Sequence, residues 1–166
     1  MFRLSREKPE DAYEVEMLLD LTFAPGRLAL SSYSLRDGVA PIAELCTVVR
    51  DEYDVLVGCI RFWPVRIGER RAPALLLGPI AIHPTRQGEG LGQLLIGNGL
   101  SDAATLGWRL VLLVGDEPYY GKFGFTPAGP HGLTFPPPVN QARFLLYELI
   151  EGAAAEVSGT VSAWDT

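Results

Sequence analysis

The stretch Leu77-Gly78-Pro79-Ile80-Ala81-Ile82-His83-Pro84-Thr85-Arg86-Gln87-Gly88-Glu89-Gly90-Leu91-Gly92 decides the fold. It overlaps an apolar run from Leu75 to Ile82 that reads as a strand with apolar residues on both faces, as at the centre of a covered sheet. Pro79 has no N–H to give to a ladder and Gly78 tolerates unusual dihedrals, so a Gly-Pro inside this strand marks a bulge or splay. Backbone groups freed by a splay are left to pair with whatever lies alongside. Gly88, Gly90 and Gly92 then fall where the connection turns into a helix expected over Gly90 to Gly107. Glycines let the amides around a helix N-terminus approach a phosphate closely, and the helix dipole favours negative charge there, so the turn reads as an anion site. Arg86 either adds a cation to it or is a solvated surface arginine.

Working outward, Leu110 to Val114 is the next buried strand. Strand, helix and strand make a βαβ unit, whose strands should be parallel with a right-handed crossover. Upstream, Leu45 to Val49 and Val55 to Val65 are rich in β-branched and aromatic residues, and Asp51 to Asp54 is a turn cluster, so the two read as an antiparallel hairpin. A short strand is expected at Phe2 to Ser5. A helix then starts near Pro9, carries Val15, Leu18, Leu19 and Phe23 on one face, and is stopped by Pro25-Gly26. Arg27 to Arg36 is a shorter helix candidate, against which Ser31-Ser32 argues. Downstream come a short helix at Pro118 to Phe123, a Pro-rich loop from Pro127 to Val139 and a late strand at Phe144 to Ile150. Residues 1–150 therefore read as one domain, and Glu151 to Thr166, turning to Ala, Ser, Gly and Thr, as a partly ordered tail. The expected class is α/β: a mixed, mostly antiparallel sheet of about 6–7 strands with a parallel splayed pair, and about 4 helices on its two faces.

The chain of 166 residues is long enough for one core, burying roughly 68–70% of its unfolded surface on folding. Its 14 Lys and Arg against 20 Asp and Glu, a net charge of −6, argue against a nucleic-acid partner. No apolar segment follows the N-terminal charges, and no apolar stretch reaches the roughly 20 residues of a membrane helix. A cytoplasmic protein with no membrane partner is the expectation. Cys46 and Cys59 lie in expected strands without a C-x-x-C and read as packing residues. With His83 and His131 they match no metal-ligand spacing, so no metal is expected. Gly99-Leu100-Ser101-Asp102-Ala103 ends in Ala inside a helix, which rules out a nucleophile elbow. The glycine turn is not a dinucleotide fingerprint, because the third position from Gly88 falls on Gln93, and Gly121-Lys122 is followed by Phe123 rather than the Ser or Thr of a P-loop.

With those phosphate loops set aside, the residues resemble the GNAT superfamily of acyl-CoA-dependent N-acetyltransferases. That family's donor motif is Arg or Gln, two residues, Gly, one residue, then Gly or Ala, and Gln87, Gly90 and Gly92 meet it directly after a bulged strand. Tyr119-Tyr120-Gly121-Lys122-Phe123-Gly124-Phe125 is similar to the family's tyrosine, three residues, Gly-Phe signature. The resemblance covers about Ala72 to Thr126. It implies acetyl-CoA as cosubstrate, with pantetheine bonded by the backbone of Ile80, Ala81 and Ile82. The loop Gln87, Gly88, Glu89, Gly90, Leu91 and Gly92 would hold the pyrophosphate. It implies Tyr120 as the acid that protonates the departing thiolate, and a strand N–H, that of Ile82, for the oxyanion.

The base is not singled out. Asp116, Glu117 and Glu44 are the carboxylates considered, and Asp116 reads equally well as a helix cap. Trp63 and Phe62, adjacent on a strand, point to opposite faces, so at least one packs in the core. The expected activity is direct transfer of an acetyl group to a primary amine on a small molecule or peptide, by a monomer or homodimer. A non-catalytic acyl-CoA sensor is the alternative, and acetylation of aminoacyl-tRNA is disfavoured by the net charge. An acidic chain attracts cationic acceptors in general, though net charge says little about one cleft.

Overall fold

The computed structural model describes residues 1–23 and 31–165, with only the backbone at 31 and 32. In chain order its elements are β1 (Arg3–Arg6), α1 (Ala12–Phe23), α2 (Ser31–Ser34), β2 (Thr47–Arg50), β3 (Leu56–Ile67), β4 (Ala72–Ile82), α3 (Leu91–Thr105), β5 (Leu110–Val114), α4 (Glu117–Tyr120), β6 (Thr126–Pro127), β7 (Leu133–Thr134), β8 (Phe144–Glu148) and β9 (Gly159–Ala163). The Pro25-Gly26 stop and the first four residues, 27–30, of the second helix expected over Arg27 to Arg36 lie outside the described residues. What is described there is the single turn α2.

The strands order as β1-β2-β3-β4-β5-β8-β6, and β9 pairs with both β3 and β7. Neighbours are antiparallel except β4 with β5 and β7 with β9. The chain is thus the mixed α/β sheet that the sequence predicts, with the hairpin β2–β3 and the β4–α3–β5 unit at its centre. No helix among the described residues is long and apolar enough to cross a membrane.

Side-chain alternation on β4 shows what the Gly-Pro does. Leu75 and Leu77 pack with α3 residues Leu95 and Ile96 and with Val111 and Leu113 of β5. Ala74 and Leu76 face the other side, with Phe135, Phe144 and Val161. Beyond the bulge the parity inverts: Ile80 and Ile82 now lie on the α3 side, and Ala81 packs under α1 with Val15, Leu18 and Leu19. The register with β3 runs Ile60↔Ile80 and then Phe62↔Leu77, so Gly78 and Pro79 together oppose Arg61. One extra residue in a strand flips every later side chain.

Where composition predicts a partly ordered tail after residue 150, the structure has a 3-10 turn (Ala153–Glu156) and then β9, which lies along β3 with Val65 opposite Ala163. Ala153, Ala154 and Val161 are buried by this closure. These are small residues at wide spacing, which is why no apolar pattern announces them.

Candidate active site

The ladder between β4 and β5 consists of Leu75↔Val111 and Leu76↔Leu112. Leu113 and Val114 continue on β8, while Ile80 to Ile82 continue on β3 beyond the bulge, so the two central strands part in a V after Leu77. The N–H of His83 donates to the carbonyl of Val57 at 2.8 Å, which fixes the phase of the antiparallel ladder. Residues then alternate: the backbone of Ala81 faces β3, and the N–H and C=O groups of Ile80 and Ile82 face the open side. Ala81, grouped with them by the resemblance, spends its polar groups inside the sheet. The side-chain amide of Gln87 reaches the carbonyl of Ile82 at 3.5 Å across the opening.

Past the open end of the V, Gly88 and Gly90 have φ of +87° and +81°, the left-handed region where a Cβ is strained. Gly90 is the residue just before α3, and no atom lies within 4 Å of where its Cβ would be. Space is left over the first amides of the helix. Leu91 is buried, so it offers only its backbone, and the carboxylate of exposed Glu89 lies 3.8 Å from Arg86. Arg86 itself is held by Asp51 and Glu52, each at 3.0 Å. Its charge is matched by carboxylates. Ile80, Ile82, Gln87, Gly88, Gly90 and both Tyr119 and Tyr120 are among the walls of a groove of about 510 Å³.

A second cavity of about 140 Å³ lies on the far side of the bulge, walled by Phe23, Tyr33, Arg36, Gly78, Pro79, Leu113, Val114 and Tyr120. The two cavities have Ile80 and Tyr120 in common. Tyr120 packs edge-on against Tyr119 and Phe125, and its ring passes so close to Gly115 that a Cβ there would fall 2.5 Å from Cε2. Burial pushes the Tyr120 phenol up to about 12. Tyr119 has its hydroxyl 2.7 Å from the Cβ position of Gly92. A methyl group at Gly92 would make the Tyr119 hydroxyl move aside. Neither glycine contact is visible in local spacing.

Among the described residues no Asp, Glu or His lines either cavity. Asp116 stands at the N-cap position of α4 but makes no side-chain cap bond, Glu117 is in the first turn of α4, and Glu44 is exposed in a 3-10 turn. His83 turns its Nδ1 to the N–H of Thr85 at 3.2 Å and to its hydroxyl at 2.8 Å, capping the turn at Pro84–Arg86. Phe62 is wholly buried, whereas Trp63 donates from Nε1 to the carbonyl of Gly78 at 2.6 Å and so holds the bulge. Cys46 and Cys59 are free and buried, their thiols pushed up by desolvation. No group of three His, Cys, Asp or Glu among the described residues is placed to hold a metal. A larger open groove near Gly68 and Ser158 lies away from the splay and shares no residue with either cavity.

The sequence model described as "Acetyltransferase (GNAT) domain" matches residues 43–127, a segment that contains the hairpin, the bulge, the glycine turn and both tyrosines. The chain belongs to the GNAT acetyltransferase family. A GNAT relative in Escherichia coli K12, the uncharacterized N-acetyltransferase YhbS, is 28% identical over 156 residues, spanning 93% of this chain and 92% of its own. The crystal structure of E. coli YhbS in complex with CoA superposes with a TM-score of 0.86 at 27% identity, covering 98% of this chain and 89% of that one. A GNAT acetyltransferase of Brucella melitensis, solved in complex with acetyl-CoA, superposes with a TM-score of 0.75 at 26% identity, covering 99% and 96%. As a GNAT member the chain is an acyltransferase of the N-acetyltransferase type.

One consequence concerns Gly115. A methyl group there cannot coexist with the Tyr120 ring where it stands. Gly115→Ala is expected to displace the ring and lower turnover about 10- to 100-fold, since misplacement by about 1 Å costs rates of that order. Steady-state kinetics against a thermal melt checks this, and unchanged turnover in a folded variant would show that the ring position is not needed.

Proposed function

We propose that this chain moves an acetyl group from acetyl-CoA to a primary amine by direct attack in a ternary complex. The observation that carries the reading is the pair of cavities meeting at Ile80 and Tyr120, one opening on the glycine turn and the other on the bulge. The complexes of the two relatives with CoA and acetyl-CoA support assigning the first cavity to the donor. Its features suit that ligand: the open C=O of Ile80 and the N–H and C=O of Ile82 can bond the pantetheine amides as an added strand, which leaves the Ile80 N–H for the reacting carbonyl. The amides at Gly88, Gly90 and Leu91 suit a pyrophosphate.

The acetyl carbonyl then lies near Ile80. An uncharged amine entering from the second cavity adds its lone pair to that carbon, and the N–H of Ile80 donates to the oxygen as it becomes negative. Ile80, two residues nearer the bulge, takes the role that the resemblance gives to Ile82. As the C–S bond breaks, the electron pair leaves on sulfur and the Tyr120 hydroxyl gives it a proton. The proton lost by the amine nitrogen restores Tyr120, so the products are the N-acetyl amine and the CoA thiol. No carboxylate lines the cavities among the described residues, so the acceptor ammonium loses its first proton to water. The cosubstrate supports a cytoplasmic setting.

Isothermal titration with acetyl-CoA tests the reading. Wild type should bind, and Gly90→Val, a β-branched residue at positive φ over the helix amides, should bind about 100-fold more weakly while keeping its circular dichroism. Absence of binding to wild type would overturn the assignment.

A further inference from the structure

Arg36 is an unusual wall for a small, largely apolar cavity. It is 8% exposed, yet its Nε and NH1 have no hydrogen-bond partner. Nε carries one N–H and NH1 two, so three donors of a buried cation await acceptors. The guanidinium is held in place by rings: its carbon lies 4.4 Å from the centroid of Tyr33 and 5.6 Å from that of Trp63. NH2 comes within 3.1 Å of the position a Gly78 Cβ would occupy, directly on the bulge. No carboxylate among the described residues is paired with it in an ion pair. The Tyr33 hydroxyl is the polar group that favours its charge, and it leaves Nε and NH1 unanswered; Arg61, a second cation that opposes the charge, has its own partners in Glu7 and Glu16. Burial lowers the Arg36 guanidinium to about 10, which leaves it charged at neutral pH.

Leaving a charge buried without a partner is costly, and protein interiors ordinarily pair such groups. The rings explain how Arg36 is held, not what answers its donors. The missing acceptor is then supplied by what enters the cavity.

We propose that Arg36 is the counter-ion for a carboxylate on the acceptor, so that the amine acetylated by this enzyme belongs to a small amino acid. The inference rests on the acetyltransferase reading and specifies its second substrate. A planar guanidinium matches a carboxylate through two parallel N–H···O bonds, which fixes orientation as well as charge. With the carboxylate at Arg36, the amine is turned back toward Ile80 and Tyr120, which border the same cavity of about 140 Å³. That volume admits a molecule of only a few heavy atoms beyond the amine. The local charge is thus opposite to the acidic balance of the whole chain, and it selects against polyamines.

Two measurements test this. The first follows CoA release with the twenty α-amino acids and β-alanine, each against its carboxamide. The best amino acids should exceed their amides about 10- to 100-fold in kcat/KM, the range for a hydrogen bond to a charged group. Arg36→Met should bring that ratio close to one, and Arg36→Lys should leave it in between. The second needs no acetyl-CoA: a thermal melt with and without propionate. Propionate should raise Tm of wild type and not of Arg36→Met, and Arg36→Met alone should melt no lower than wild type, because it removes an unpaired buried charge. Amides as good as acids, or no propionate shift in wild type, would overturn the proposal. A lower Tm for Arg36→Met would do the same, by making Arg36 a structural residue. Loss of acetyl-CoA binding in wild type instead strikes the acetyltransferase reading, and the propionate arm still decides the carboxylate site.

Discussion

Tyr120→Phe is expected to lower kcat about 10²- to 10³-fold and to change acetyl-CoA affinity by less than about threefold, the loss typical of a removed general acid. The substitution deletes one oxygen and leaves the ring on Gly115 and Phe125, so the groove keeps its shape. The pH profile gives a second readout. Burial raises the Tyr120 phenol to about 12, and a raised phenol stays neutral to higher pH, so the acid form is present throughout the usual assay range. Rate should therefore climb as the acceptor amine deprotonates, with no descending limb below about pH 11. The rise should persist in the variant at a lower level. A free thiol near 8.5 is a stronger acid than this phenol, but the thiolate forms against the same desolvated wall, which raises its proton affinity as well. Equal kcat in wild type and variant would mean that the thiolate leaves unprotonated and that Tyr120 only packs.

The second large effect lies under the helix that carries the glycine turn. Phe62→Ala is expected to cost about 3–5 kcal/mol, read as a shift of the urea midpoint without a change of slope. Phe62 is wholly buried, and α3 crosses it at Gly99, where a Cβ would lie 2.6 Å from ring carbons Cε1 and Cζ. The helix sits on the ring with no side chain between them. Deleting the ring leaves a hollow that Leu75, Ile96 and Leu100, all in the same cluster, would have to leave their positions to fill. A loss below about 1.5 kcal/mol would mean that α3 settles onto the sheet after the change.

The central features of the fold were legible because each had a local cause. A proline without an N–H marks the bulge, glycines at positive φ mark the turn into α3, and the run Leu110 to Val114 is a strand end to end. Roles fixed by distant contacts were not legible. Tyr119 and Tyr120 are adjacent and alike in sequence, and what separates their positions is Gly92 under one and Gly115 under the other. Arg36 is linked to Tyr33 by spacing, but its relation to Trp63 and Gly78 exists only once β3 and β4 are paired. Ala81 was grouped with its neighbours because the phase of a ladder cannot be read from an apolar triplet. Net charge averages over the whole surface, so it does not point to a cation such as Arg36 on the wall of the second cavity.

The placement of β9 bears on how the molecule is made. The distal edge of β3 is covered by a strand from the far end of the chain, with Val65 waiting for Ala163. During synthesis the hairpin, the bulge and the glycine turn emerge while that edge is still bare, and a bare edge is a template for pairing with another nascent chain. Charge stands at this edge in the meantime: Arg66 lies in β3 at the uncovered register, and Arg71 follows close behind. In the finished protein both arginines meet Asp165, just past the strand that covers them. Charges of the kind that discourage pairing at a bare edge are thus the ones that Asp165 answers once the edge is covered.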